Sequence, residues 1–251
     1  MKPSSTHNHN LSLLGILFLV CIWYGAAALI GAEIILPTPL KTLQSLFTLI
    51  TGHLFWASVG STVLRGLSGF VISFIFGVAF GVAAGKSRLI QSFTKPFIVV
   101  IRSTPVMSVI LLAMIWFKSD TVPVFVTFLM TFPIILGNVI EGVRQVDSRL
   151  MEMATFFKVS KHETFVGIEL PSLLPFLASG AETALGLTWK VVVAAEVLSQ
   201  PVHAIGTRLQ DSKVYLETAS MFAWTIVAIL LSVATESVFR LIMKRIPWRP
   251  A

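Results

Sequence analysis

Six stretches of about twenty mostly apolar residues, at 11–30, 62–85, 97–117, 122–143, 173–198 and 219–243, recur along this 251-residue chain. At 1.5 Å of rise per residue, each is long enough to cross a hydrocarbon layer of about 30 Å as a helix. The rest of the composition agrees with lipid as the solvent: 55% of residues are hydrophobic and 12% charged, against about 25% charged in an ordinary soluble domain. The expected fold class is therefore an all-α membrane protein with about six transmembrane helices. The net charge of +7 does not point to nucleic acid, because the basic residues sit in the loops without interleaved aromatic side chains.

The segments between the runs set the expected organisation. Residues 1–10, with His7 and His9, read as a disordered polar tip, and 11–30 as a retained first helix without a small-residue cleavage site behind it. Cys21, the one cysteine, lies inside that run and is expected as an inert buried thiol. Leu36-Pro37-Thr38-Pro39 breaks the helix, and Leu40, Leu43, Leu46, Phe47 and Ile50 follow at helical spacing. Residues 31–57 are thus read as an external amphipathic segment, 58–244 as the main membrane domain, and 245–251 as a basic tail.

Gly69, Ser73, Gly77, Gly81 and Gly85 recur every fourth residue in the second run. Small residues at that period form a groove for close helix packing, which is how helices associate where lipid removes the hydrophobic drive. Gly85-Lys86-Ser87 imitates the end of a phosphate-binding loop, but Phe80 stands where the first glycine is required. No ATP site is read in this chain. Prolines 105 and 133 fall inside the third and fourth runs, where freed backbone groups need a neighbour or a cavity.

With the N-terminus inside, the inner segments hold Lys2, then Lys86, Arg88 and Lys95, then Arg144, Arg149, Lys158 and Lys161, and finally Arg240, Lys244, Arg245 and Arg249. The outer ones hold Lys41, Arg65, Lys118, Arg208 and Lys213. Positive charge on the inner side selects cytoplasmic termini and a cytoplasmic 144–169 loop.

That loop reads Glu152-Met153-Ala154-Thr155-Phe156-Phe157-Lys158, then nine residues, then Ile168-Glu169-Leu170-Pro171. It resembles the EAA loop of ATP-binding-cassette importer permeases: Glu-Ala-Ala, three residues, Gly, nine residues, Ile, any residue, Leu-Pro. Flanking Val146 to Leu150, Phe132-Pro133-Ile134 and Trp189 through Leu198 fit as well. The resemblance spans about 58–244 and is nearest to the nitrate, sulfonate, taurine and bicarbonate group. It implies a type I importer bundle in the bacterial inner membrane, working as a dimer (a homodimer before a heterodimer). Two cytoplasmic ATPase subunits carrying ATP and Mg, and an external substrate-binding protein, complete the implied assembly. By the same resemblance Glu152, Met153, Ala154, Lys158, Ile168, Leu170 and Pro171 form the ATPase-coupling element.

Read physically, the loop makes two short helices, one around Glu152 to Ala154 and one over 161–168, which Pro171 ends before the fifth spanning helix. Glu152 is expected to accept hydrogen bonds at a helix start, and Ala154 to permit close packing. Two positions depart from the pattern. Met153 replaces an alanine, and Lys158 replaces the turn glycine, whose left-handed backbone costs other residues on the order of 1 kcal/mol.

Charges inside apolar runs cost at least about 2.5 kcal/mol for Arg or Lys at mid-depth and face cavities or partners. Arg102, Glu182, Lys190 and Glu196 are therefore the candidate substrate path, and Trp189, next to Lys190, is placed with them. The span from Lys190 to Glu196 is read as placing both on nearly one helix face, with Glu182 close to it. Arg102 and Lys190 on a shared path would favour a small anion; alternatively they neutralise Glu182 and Glu196 and lock the bundle. Trp116, Phe117 and Trp189 read as membrane belt or core. The rival function is an ion-coupled secondary transporter using Glu182, Lys190 and Glu196, although no repeat relates the two halves. A membrane scaffold is a further rival. No nucleophile, base and orienting group can be picked out for an enzyme.

Overall fold

The computed structural model describes residues 5–245, with side chains from Leu14 onward. The tip with Lys2, His7 and His9 and the tail with Arg249 thus lie outside the described residues or side chains. Eleven helices follow one another among the described residues: α1 Ser5–Ile30, α2 Pro39–Thr51, α3 His53–Lys86, α4 Arg88–Ser103, α5 Val106–Trp116, α6 Val122–Arg144, α7 Ser148–Phe156, α8 Lys161–Thr164, α9 Leu170–Ser199, α10 Ile205–Val214 and α11 Thr218–Arg245. A π-helical turn, Phe165–Glu169, joins α8 to α9.

Four helical stretches are long and apolar enough to cross a membrane: α3, α6, α9 with its lead-in, and α11. A fifth arises if α4 and α5 count as one bent span. The apolar part of α1 with described side chains, Leu14–Ile30, is shorter.

The centre is a three-helix packing of α3, α6 and α9. The four-residue repeat on α3 is its main seam. A Cβ added at Gly81 would stand 2.6 Å from Val139 Cβ, at Gly85 2.6 Å from Val143 Cβ, and at Gly77 2.8 Å from Ile135 Cγ2. Ser73, one turn before Gly77, is fully buried. The helices meet backbone to side chain, as small-residue interfaces in membranes do. On the other face of α6, Gly142 admits Leu173 and Phe176 of α9.

The N-terminal elements fold onto the end of this core away from the 144–169 loop. Thr38 caps α2 by accepting from the Lys41 amide, with Pro39 in the first turn, as suits a helix start. Leu46 and Leu49 of α2 pack against Phe55, Ile205, Trp224 and Val227. α1 is held by the Trp23 Nε1 donation to Pro37 O at 3.0 Å and by stacking of Trp23 on Phe222. Cys21, expected as buried, is exposed on α1, because few other elements cover that helix.

Three further features differ from the reading of the sequence. α3 begins at His53, well before residue 62. The loop after α9 holds a helix of its own, α10. The third run does not form one helix: α4 and α5 meet at 101°. Pro105 has no amide hydrogen and disfavours helical geometry at the residue before it, and Thr104 is accordingly extended at φ −78° and ψ 127°. Pro133, by contrast, stays inside α6, buried.

Candidate functional site

At one end of the bundle the 144–169 loop folds into a compact protrusion. α7 starts at Asp147, whose carboxylate accepts from the Arg149 amide; Asp147 therefore takes the helix-start role expected of Glu152, which lies a turn further in. Ala154 is buried, while Met153, Phe156 and Phe157 are exposed. The two phenylalanine rings meet edge to face at 5.3 Å.

α7 ends where Lys158 adopts φ +53°, the left-handed conformation that a glycine would take without strain. The Lys158 amide donates to Thr155 O at 3.1 Å and the Val159 amide to Ala154 O at 2.9 Å, the paired bonds of a Schellman ending. The glycine turn is thus kept without the glycine.

Ser160 and Glu163 then form a reciprocal capping box that opens α8. The hydrogen bonds from the Ser160 side chain and backbone hold the Glu163 carboxyl below its ordinary range. Pro171 does not separate this helix from the fifth spanning helix. It cannot donate to the carbonyl four residues back and would crowd it, and the chain widens into the π turn, with the Leu170 amide donating to Phe165 O. Helical backbone therefore runs from α8 into α9. Lys86, at the end of α3, clamps this junction through Glu169 at 2.6 Å. A groove of about 900 Å³ lies between the protrusion and the bundle, lined by Val82, Val143, Met151, Glu152, Phe165 and Leu173 among others.

At the other end, Glu196 is fully buried. Its carboxylate accepts from Thr62 Oγ1 at 2.9 Å, Arg65 Nη1 at 3.0 Å and the Gly206 amide at 3.2 Å. Arg65 also donates to His203 O at 2.9 Å and to Asp120 Oδ1 at 2.5 Å. One guanidinium thereby joins α3, α9, the α9–α10 turn and the α5–α6 loop. Arg65, counted above with the outer loops, is a buried helix residue, and its place in this network was not anticipated.

The remaining path candidates do not converge on one point. Lys190 and Glu196 are six positions apart, about 240° around a helix of 3.6 residues per turn, so they cannot share a face. Lys190 is exposed while Glu196 is buried. Arg102 donates to Pro133 O at 2.9 Å beside Gly137. Trp189 is buried, its Nε1 donating to Thr235 Oγ1 at 2.7 Å. Glu182 pairs with Arg240 at 2.8 Å. Arg102 and Lys190 therefore do not neutralise Glu182 and Glu196; Arg240 and Arg65 do.

A polar seam thus runs between α9 and α11. Along it Glu236 accepts from Ser232 Oγ at 2.9 Å and lies against Gly186, where a Cβ would stand 3.2 Å from its Oε1. Glu236 lies within the last apolar run, where its charge is the one sequence signal that marks it.

Residues 74–247 match the family described as binding-protein-dependent transport system inner membrane component. The chain is 26% identical over 236 residues to a putative aliphatic sulfonates transport permease protein SsuC of Bacillus subtilis, covering 92% of this chain and 84% of that one. It is 24% identical to the taurine transport system permease protein TauC of Escherichia coli (95% and 89%). With the bicarbonate transport system permease protein CmpB of Synechococcus elongatus it shares 29% over 63% of this chain and 57% of that one. The fold superposes on a chain of an inward-facing MetNI methionine ABC transporter with a TM-score of 0.57 at 15% identity, covering 76% of this chain and 94% of that one. These relatives are transport permeases and not enzymes, and the ion-coupled alternative is not favoured. With its apolar helices and its loop geometry, the chain is a multi-pass inner-membrane protein of the binding-protein-dependent transport system inner membrane component family, the permeases of ABC importers.

Proposed function

We propose that this permease carries a small anion such as nitrate, a sulfonate, taurine or bicarbonate, and that its α7–α8 protrusion couples the passage to ATP hydrolysis in partner subunits. The observation that carries the coupling role is the protrusion itself. Its tip presents Phe156 and Phe157 outward, large apolar side chains of the kind that anchor protein interfaces. Behind the tip, the continuous helix into α9 and the Lys86–Glu169 clamp would pass a displacement to α3 and α9 together. Glu152, Met153, Ala154, Lys158, Ile168, Leu170 and Pro171 are the residues of this element.

The anion reading is supported by the solutes named for the sulfonate, taurine and bicarbonate relatives and by Lys190, an exposed cation on an apolar helix. Arg102, Glu182, Trp189 and Glu196 position the surrounding helices. The family implies ATPase and substrate-binding partners. In this reading two such permeases, more readily identical than different, stand over two ATPase subunits that hold ATP and Mg, with the external binding protein on the far side. Both termini lie in the cytoplasm, as the distribution of Lys and Arg directs.

Co-purification from the native membrane tests the coupling role, comparing the intact chain with Glu152→Ala and with deletion of residues 151–163. An ATPase subunit is expected to accompany the intact chain and to be lost or uncoupled in the variants. Intact partnership in the deletion variant would place the contact elsewhere.

A further inference from the structure

The seam between α9 and α11 holds four ionisable side chains within apolar helices, and two of them have a partner of opposite charge: Glu182 and Arg240. Lys190 and Glu236 do not. Among the described residues Lys190 has no hydrogen bond or ion pair, and Glu236 has the Ser232 hydroxyl alone. Helix periodicity sets the two along one stretch of the seam. Gly186 points its missing side chain at the Glu236 carboxylate, and Lys190 lies one turn further along the same face of α9. The Glu236 carboxylate also bonds back to Ser232, on the turn of α11 nearer to Lys190, since Trp189 pairs with Thr235 in this antiparallel packing.

This face of α9 is not suited to lipid. Ser179, Thr183 and Lys190 are its exposed residues, with Pro175, in a single stripe. An isolated cation and an isolated carboxylate in an apolar helix are each costly unless they meet water or a counter-charge. A solute with a charge of each sign at its two ends satisfies both at once.

We propose that Lys190 and Glu236 form a two-point site for a zwitterion, Lys190 taking the oxyanion end and Glu236 a protonated amine. This rests on the permease reading above and narrows its anion to one that also bears an ammonium group.

The test is equilibrium binding, by ligand-observed NMR, to the full chain assembled with its ATPase partners in lipid nanodiscs. The probes are taurine and ethanesulfonate, which lacks the ammonium. Taurine is expected to bind about tenfold more tightly, the effect of one modest ionic contact. Glu236→Gln should bring the ratio of the two affinities close to one, and Lys190→Gln should weaken both about tenfold. Equal binding of the two probes to the unaltered protein overturns the zwitterion site and leaves the anion reading standing; binding of neither overturns the zwitterion site and the sulfonate part of the anion reading. A parallel loss of both probes in Glu236→Gln would make that residue structural and also overturn the assignment.

Discussion

At the scale of single residues, the most constrained group is the Glu196 carboxylate. It is fully buried, and its charge is met by Arg65, Thr62 and the Gly206 amide. Removing one member of a buried pair leaves an uncompensated charge, at a cost of about 3–5 kcal/mol, whereas removing both is far milder. Arg65→Met should therefore destabilise the protein strongly, and Arg65→Met with Glu196→Gln should recover much of that loss. Thermal unfolding in detergent across the double-mutant cycle measures this, and additive losses would contradict it. Lys158 makes the opposite case. It holds φ +53° without being glycine, so Lys158→Gly should stabilise the α7 ending by about 1 kcal/mol. Slower amide exchange at Val159, whose N–H closes that turn, is the expected signature; unchanged or faster exchange would argue against strain at Lys158.

At the scale of elements, the α3–α6 seam depends on absent side chains. A Cβ at Gly81 would meet Val139 Cβ at 2.6 Å, and overpacking of this kind costs about 1–3 kcal/mol. Gly81→Ala should lower thermal stability accordingly. Gly60→Ala, on the same helix with open space around its Cβ position, should not. A tolerated Gly81→Ala would mean the helices part easily. This seam was legible in the sequence because a four-residue period maps directly onto one helix face. The two short helices of the 144–169 loop were legible because their contacts are local, but their caps, Asp147 and the Ser160–Glu163 box, were not, since Glu152 is the residue expected at the helix start. The charged groups were not. Arg65 meets Glu196 across 131 positions and Arg240 meets Glu182 across 58, and periodicity along one helix carries no information about which distant helix faces it. The α4–α5 bend was signalled by Pro105, but its size of 101° follows from how α5 packs on α6 and α9.

At the scale of the whole molecule, the two polar ends are joined through α9. Its N-terminal end continues the protrusion and is clamped to α3 by Lys86, and its C-terminal end carries Glu196 and is tied to α3 by Arg65. A push on α7 and α8 would thus move a helix anchored to α3 at both ends, which suits the transmission of nucleotide-driven closure across the membrane. The central claim is that transport is driven by ATP through this protrusion. Its most direct test is solute uptake by the assembled complex in proteoliposomes, with ATP supplied on the side of the protrusion. Uptake is predicted to require ATP, to persist when ionophores collapse the proton and sodium gradients, and to be abolished by deletion of residues 151–163. Uptake that runs on an ion gradient without ATP, or that survives the deletion, would contradict the account.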